Sequence, residues 1–280
     1  MLPQASEATL ELARLIEKRP TLRAHGELLT QLLHVLFDEP CRESLPALPL
    51  EKARAKLEGG IPLLRGEELR LDESMFRARW AAVCAAFERH QDAESLRALA
   101  TALQQNRLSP RELLGDVLGG RPEEIHRRAE LLTLDPLLTA TVLRLTLFPV
   151  LSRWAVALAP LRQGIRWEHG FCPTCGSWPL LGEFRGLEQL RFLRCGLCAS
   201  AWEFPRLQCP FCGERDHRQL GYLHAEGEEA SRRACTCDTC RSYVKMVATL
   251  TPLSEAGLLV ADLATMHLDL AAAERGYLVG

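Results

Sequence analysis

The chain of 280 residues has almost no net charge. Its 34 basic and 36 acidic side chains leave −2 at neutral pH. No overall positive field exists to hold a polyanion, so nucleic acid is not an expected partner. A long apolar run is missing too. The best stretch, Leu145 to Leu161, is interrupted by Pro149 and Arg153, so no membrane insertion is expected. The opening segment, MLPQASEATLELARLIEKRP, has neither a cationic n-region nor an apolar h-region, and no secretory signal is visible. The expected compartment is therefore the cytoplasm, where thiols stay reduced and disulfides are rare. The first 167 residues contain no dinucleotide or phosphate loop and no hydrolase elbow. The composition, 47% hydrophobic and 25% charged, excludes a chain that is disordered overall.

Cysteine is what the sequence has in excess. There are 11, and nine fall between residues 172 and 240. They are not scattered as in a disulfide framework. Four Cys-x-x-Cys pairs follow one another: Cys172 and Cys175, Cys195 and Cys198, Cys209 and Cys212, Cys237 and Cys240. Such pairs in series point to metal.

Ahead of them the chain reads as helical. Leu10, Leu12, Ala13, Leu15 and Ile16, then Leu28 through Phe37, recur on a 3.6-residue period. Residues 38–66 are rich in Pro and Gly and read as an irregular connection around a short helix. Asp72 or Ser74 is placed to cap a helix through Met75, Trp80, Val83 and Phe87. Ser109-Pro110-Arg111-Glu112 has the order cap, proline, acid, and Arg121-Pro122-Glu123-Glu124 starts a helix similarly. Residues 135–160 are apolar enough for the centre of a bundle, with Pro149 as a kink or break. At the other end, Ser254 to Glu274 predicts an amphipathic helix.

Between the helical parts lies an internal repeat. One unit runs from Cys172 to Leu207 and the other from Cys209 to Leu250. Each reads as knuckle, hairpin, knuckle, strand. In a Cys-x-x-Cys turn both sulfurs point to one side of a tight loop. Proline after the first Cys presets the turn, and glycine after the second permits a left-handed backbone. One knuckle supplies two ligands and a tetrahedral ion needs four, so two knuckles must meet. Gaps of 19 residues between Cys175 and Cys195, and 24 between Cys212 and Cys237, fit two strands and a turn. The first knuckle is therefore paired with the second and the third with the fourth; the crossed pairing needs longer closures. The expected ligands are Cys172, Cys175, Cys195 and Cys198 for one ion, and Cys209, Cys212, Cys237 and Cys240 for the other.

A site closed by four thiolates leaves no position for water or substrate. That favours a structural or electron-carrying role over hydrolysis. Tetrahedral sulfur suits zinc and a single iron equally. Four thiolates and a divalent ion carry −2. Arg191, Arg194, Arg206, Arg232, Arg233 and Arg241 are candidates to offset that charge through N–H···S contacts, or to form a basic stripe for nucleic acid. Cys235 is open to three readings: alternative ligand, reactive thiol or strand residue. Cys84 reads as a small buried hydrophobe, and Cys41, after Pro40, carries no signal. His169, His217 and His224 read as surface or strand histidines, and Trp202 and Tyr243 as residues packed on the ribbon cores.

Phe171-Cys-Pro-Thr-Cys-Gly-Ser-Trp-Pro179, Leu193-Arg-Cys-Gly-Leu-Cys-Ala-Ser-Ala-Trp202, Cys237-Asp-Thr-Cys-Arg-Ser-Tyr-Val-Lys245 and Ala261-Asp-Leu-Ala-Thr-Met-His-Leu-Asp269, with Gly276-Tyr277, resemble the formate dehydrogenase accessory (formation) protein family, FdhE. The resemblance covers about residues 168–278. It implies a non-enzymatic maturation factor that binds the catalytic subunit of respiratory formate dehydrogenase, and it implies rubredoxin-like iron sites. The expected fold class is α+β: an N-terminal all-α domain over 1–167, then two tandem rubredoxin-like or zinc-ribbon four-cysteine modules with a C-terminal helix over 168–280. Two metal ions per chain, iron or zinc, are the expected cofactors. A rubredoxin-like electron carrier and a nucleic-acid-binding zinc ribbon are the alternatives.

Overall fold

A computed structural model of the chain describes residues 3–38, 43–44, 46–90 and 93–279. Cys41 and Pro40 lie outside them. The architecture is α+β. Contacts divide the chain into two compact units, one of residues 1–49 and 64–158, the other of residues 50–63 and 159–280. The division differs from a boundary at 167/168. The short segment 50–63 belongs with the cysteine-rich unit, and the first unit's last helix ends at Leu158.

The first unit is helical. It contains α1 (Pro3–Lys18), α2 (Arg23–Phe37), α4 (Glu73–Glu88), α5 (Ala93–Gln104), α6 (Pro110–Gly119), α7 (Pro122–Leu131) and α8 (Pro136–Leu158). Local chemistry explains the helix starts. The Asp72 carboxylate accepts from the backbone N–H groups of Ser74 and Met75, and the Ser109 hydroxyl accepts from Glu112. Each satisfies donors that the first helical turn leaves without partners. At α7 the Arg121 side chain makes no such bond, and Pro122 opens the helix alone. Trp80 and Phe76 of α4 are fully buried and stacked with ring centroids 5.8 Å apart. The Trp80 indole N–H donates to the Leu99 carbonyl of α5 at 3.3 Å. Helix α8 runs through Pro149 without a break. By length and composition it could cross a membrane, but 72% of its apolar window is buried inside the protein. It is the helix about which this core is built.

The second unit carries α3 (Leu50–Glu58) and the repeat. Two contacts tie the segment after α3 in place: Lys56 Nζ donates to the Leu63 carbonyl at 2.8 Å, and the Leu63 N–H donates to the Pro173 carbonyl at 2.9 Å. The strands are β1 (Pro179–Arg185), β2 (Leu190–Cys195), β3 (Ala201–Glu203), β4 (Leu220–Leu223), β5 (Arg232–Cys237), β6 (Ser242–Thr249) and β7 (Leu278–Val279). Each repeat unit is an antiparallel ribbon, β3-β2-β1 and β4-β5-β6. The two ribbons join edge to edge through a parallel pairing of β1 with β6, Leu181 opposite Lys245 through Arg185 opposite Thr249. The modules therefore share one sheet. Short β7 adds to the start of β6, also in parallel.

The single C-terminal helix predicted from the sequence is two helices, α9 (Glu255–Ala264) and α10 (Met266–Glu274), bent by 47°. The bend falls at buried Thr265, whose hydroxyl bonds back to the Ala261 and Asp262 carbonyls at 2.8 and 3.0 Å. Such back-bonding competes with the helical ladder.

The two ribbons also touch where Gly170, just before the first knuckle, meets Pro210 in the third. A β-carbon on Gly170 would lie 1.7 Å from the Pro210 carbonyl oxygen. Backbone cannot yield as a flexible side chain can. Gly170→Ala is expected to destabilise the second unit by about 3 kcal/mol or more, read as a lower urea midpoint for loss of the sheet signal.

Candidate metal centres

Three of the four Cys-x-x-Cys knuckles share one pair of backbone hydrogen bonds. In the first, the Cys172 N–H donates to the Ser177 carbonyl and the Gly176 N–H to the Cys172 carbonyl, at 2.8 and 2.9 Å. The same pair of bonds links Cys195 with Ser200 and Ala199, and Cys209 with Glu214 and Gly213. In the fourth knuckle Cys237 pairs with Ser242 across the β5–β6 hairpin. The residue after the second cysteine has a positive φ in every case: 85° at Gly176, 55° at Ala199, 78° at Gly213 and 55° at Arg241. The sequence reading placed this conformation only where glycine stands. Ala199 and Arg241 adopt it at a cost of about 1–2 kcal/mol each. At Ala199 the knuckle's own hydrogen bond to the Cys195 carbonyl imposes it.

The hairpins bring the knuckles together in the order that spacing predicts. Cys172, Cys175, Cys195 and Cys198 form one group and Cys209, Cys212, Cys237 and Cys240 another, with the sulfurs of each group within 4.8 Å of one another. The closest contacts are 3.6 Å between Cys172 and Cys198, 3.4 Å between Cys175 and Cys195, and 3.6 Å for both Cys209–Cys240 and Cys212–Cys237. A disulfide would need about 2.0 Å. Four sulfurs at about 2.3 Å from one tetrahedral ion lie about 3.8 Å apart. The donor set and its spacing fit such an ion, and each group could hold one.

Electrostatics gives the same reading. At the first group burial keeps the Cys175 and Cys195 thiols well above the ordinary range. At Cys172 burial acts the same way, but sulfur hydrogen bonds from Cys175, Cys195 and Cys198 outweigh it and bring this thiol well below. At the second group burial raises Cys209 and Cys212. For Cys240 burial is outweighed by hydrogen bonding from Ser242, and the thiol falls. In each group one thiol gives up its proton readily and two resist doing so. A cation is what makes four thiolates stable together, and its binding releases their protons. Backbone N–H groups of Thr174 and Leu197 point at the Cys172 and Cys195 sulfurs, both at 3.4 Å.

The two groups differ in exposure. All four cysteines of the first are buried; in the second, Cys212 is exposed and Cys240 half-buried. Among the described residues no histidine joins either group. His169, His217 and His224 are exposed. Cys235 lies on β5 opposite Val244 and Tyr222, outside both groups. Cys84 is buried in α4, and burial pushes its thiol up to about 12. Trp202 and Tyr243 pack into the unit, 5% exposed each.

Two buried ionic nodes behind the metal groups escaped the sequence reading. Glu183 of β1 is fully buried and accepts from Arg185 at 3.0 Å, from Arg194, from the Thr249 hydroxyl and from the Leu253 N–H. Burial opposes its charge, and Arg185 and Arg194 more than offset this. Lys245 of β6, with its side chain 5% exposed, reaches Asp262 of α9 at 2.6 Å and Asp269 of α10 at 2.7 Å. The Tyr243 hydroxyl donates to the same Asp269 at 2.7 Å. These contacts hold the bent C-terminal helices on the sheet. They account for Lys245, Asp262 and Asp269 in the motifs quoted above. Tyr277 serves the fourth knuckle, donating to Asp238 at 2.5 Å under the Arg241 guanidinium. The signal was present as isolated charged residues in apolar surroundings, but their partners are distant in sequence.

Removing one side of a buried ion pair strands the other. Lys245→Ala is expected to cost about 2–4 kcal/mol, below the fully buried limit because both aspartates are partly hydrated, measured by urea denaturation. For the ligands, Cys175→Ser and Cys212→Ser are each expected to lower metal content by about one ion per chain, with only the first loosening its module throughout. Unchanged metal in elemental analysis contradicts the ligand assignment. A chelator is expected to strip the two ions in two phases, the exposed Cys212 group first.

Two protein domains match the repeat. The FdhE central domain matches residues 171–206 and the FdhE C-terminal domain residues 207–279, so their junction falls between the two modules. A Pseudomonas aeruginosa protein described as "Protein FdhE homolog" is 32% identical over 265 residues, 89% of this chain and 78% of its own length. A Stutzerimonas stutzeri protein of the same description is 41% identical over 124 residues, but the match spans only 43% of this chain and 39% of that protein. The crystal structure of the FdhE protein from Pseudomonas aeruginosa superposes with a TM-score of 0.65 at 27% identity, covering 99% of this chain and 92% of that one. With both metal modules matched and a relative aligned along most of its length, the chain belongs to the FdhE family.

Proposed function

We propose that this chain is a cytoplasmic accessory protein for the maturation of respiratory formate dehydrogenase. In this reading it binds the immature catalytic subunit and helps to make it active without turning over formate itself. The observation that carries the proposal is the pair of closed four-cysteine groups, in a chain of the FdhE family. Cys172, Cys175, Cys195 and Cys198 would hold one ion and Cys209, Cys212, Cys237 and Cys240 the other, each iron or zinc. An ion so held orders its module, since metal binding and folding are coupled, and a site with four protein ligands offers no position to a substrate. The role is therefore one of shape and recognition. The helical unit is the proposed docking domain for the catalytic subunit.

Deleting the gene is expected to abolish formate dehydrogenase activity while leaving other molybdoenzymes largely active. The tagged protein is expected to recover the catalytic subunit from cell extract. A pull-down that never recovers it, under conditions where the protein is folded and metal-loaded, contradicts the proposal.

One observation favours a second reading. Cys212 is exposed, so an iron ion in the second group would sit near the surface, as electron exchange requires. Protein isolated without air would then be red and show a reversible one-electron couple. Colourless protein with stoichiometric zinc removes this reading. A nucleic-acid role draws no such support. Arg194, Arg232 and Arg241, three residues of the supposed basic stripe, are paired with Glu183, Glu228 and Asp238.

A further inference from the structure

The other three arginines of that stripe, Arg191, Arg206 and Arg233, have no acidic partner among the described residues. They line a cavity of about 260 Å³ whose walls include Phe184, Tyr222, Cys235 and two ligands of the second cysteine group, Cys209 and Cys237, but no aspartate or glutamate. The Arg206 and Arg233 guanidiniums both lie over the ring of Phe184, 5.1 and 4.4 Å from its centroid, and Arg233 also approaches Tyr222 at 5.7 Å. Neither side chain makes a hydrogen bond to the described residues. Each guanidinium carries five N–H donors, and both arginines stand in the cavity wall, Arg206 exposed and Arg233 half-buried.

Arg191 is only 3% exposed. Its Nη1 group donates to the Pro205 and Gln208 carbonyls at 3.0 and 2.9 Å. Its Nε–H is shielded from solvent and meets no acceptor among the described residues. A buried charged donor without a partner is costly. Three like charges converging on one cleft without a carboxylate are costly as well. The neighbouring cysteine group does not resolve this. With a divalent ion it carries two negative charges against three positive ones, and none of the three arginines donates a hydrogen bond to its sulfurs. Apart from the Cys209 and Cys237 sulfurs in its wall, the cleft therefore offers these guanidiniums no charged acceptor among the described residues. Planar guanidiniums bind oxyanions in pairs, and the exposed Tyr222 ring suits an apolar body attached to one.

We propose that this cleft is an oxyanion-binding site. It takes a small phosphate ester or carboxylate borne on an aromatic or apolar group, held by Arg191, Arg206 and Arg233 and packed against Tyr222, which is 59% exposed. The site lies within the second unit and stands whether or not the chain acts on formate dehydrogenase.

The test is isothermal titration of the full-length, metal-loaded protein at low ionic strength. The probes are phenyl phosphate, phenylacetate and, as a neutral control, benzyl alcohol. Saturable one-to-one binding of at least one anion is expected, with none for the alcohol. The stronger of the two anions identifies phosphate or carboxylate as the native head group. Arg206→Gln and Arg233→Gln, at unchanged metal content, are each expected to weaken binding roughly tenfold. No saturable binding of either anion to wild-type protein carrying two ions overturns the proposal. So does an affinity unchanged in the double variant. A wild type that binds neither anion, beside a double variant that sheds one ion, shows that the arginines serve the metal group alone, and overturns it too.

Discussion

Mutual repulsion between thiolates is the constraint around which the second unit is organised. Four sulfurs within 4.8 Å of one another cannot all ionise in a buried turn unless a cation sits among them. The local backbone is committed in advance. Each knuckle holds a left-handed residue after its second cysteine, even where that residue is alanine or arginine. That strain is tolerated because a metal-ready pair of sulfurs, and in three of the knuckles two backbone hydrogen bonds, depend on it.

The surrounding polar network follows from the same constraint. Ribbons this short have little apolar core of their own. Strand β3 has three residues and β4 has four. The unit compensates by joining its ribbons into one sheet and fastening the terminal helices to it through Glu183 and Lys245. Both nodes sit on the two strands that pair in parallel. The C-terminal helices are thus anchored at the seam between the modules. Buried ion pairs contribute little net stability, and here they link the bent helix pair and the segment before it to the sheet.

What could be read from the sequence was local. The cysteine spacing carries the knuckles because each is a four-residue turn, and the hairpin lengths carry the pairing of first with second and third with fourth. Asp72 and Ser109 announced their helices because a cap acts over three residues. What could not be read was distant. Nothing in Leu181 or Lys245 alone says that β1 lies beside β6. The Pro- and Gly-rich stretch 38–66 showed its short helix but not that residues 50–63 pack with the cysteine-rich unit, because that depends on contacts such as Leu63 to Pro173 across about a hundred residues. The bend at Thr265 was hidden because a continuous amphipathic period runs through it. The six arginines near the knuckles looked alike in sequence; among the described residues three have carboxylate partners and three do not, and only tertiary structure separates them.

The parallel seam between β1 and β6 bears on how the two halves can be separated. A fragment ending at the domain junction after Arg206 would keep β1 but lose the strand that covers its outer edge. It would carry an unpaired row of backbone N–H and C=O groups beside a folded ribbon. Such an edge recruits the equivalent strand from another molecule, so the severed module is prone to exchange strands between copies. The two modules look like duplicated beads on a string, yet each supplies the edge protection that the other lacks.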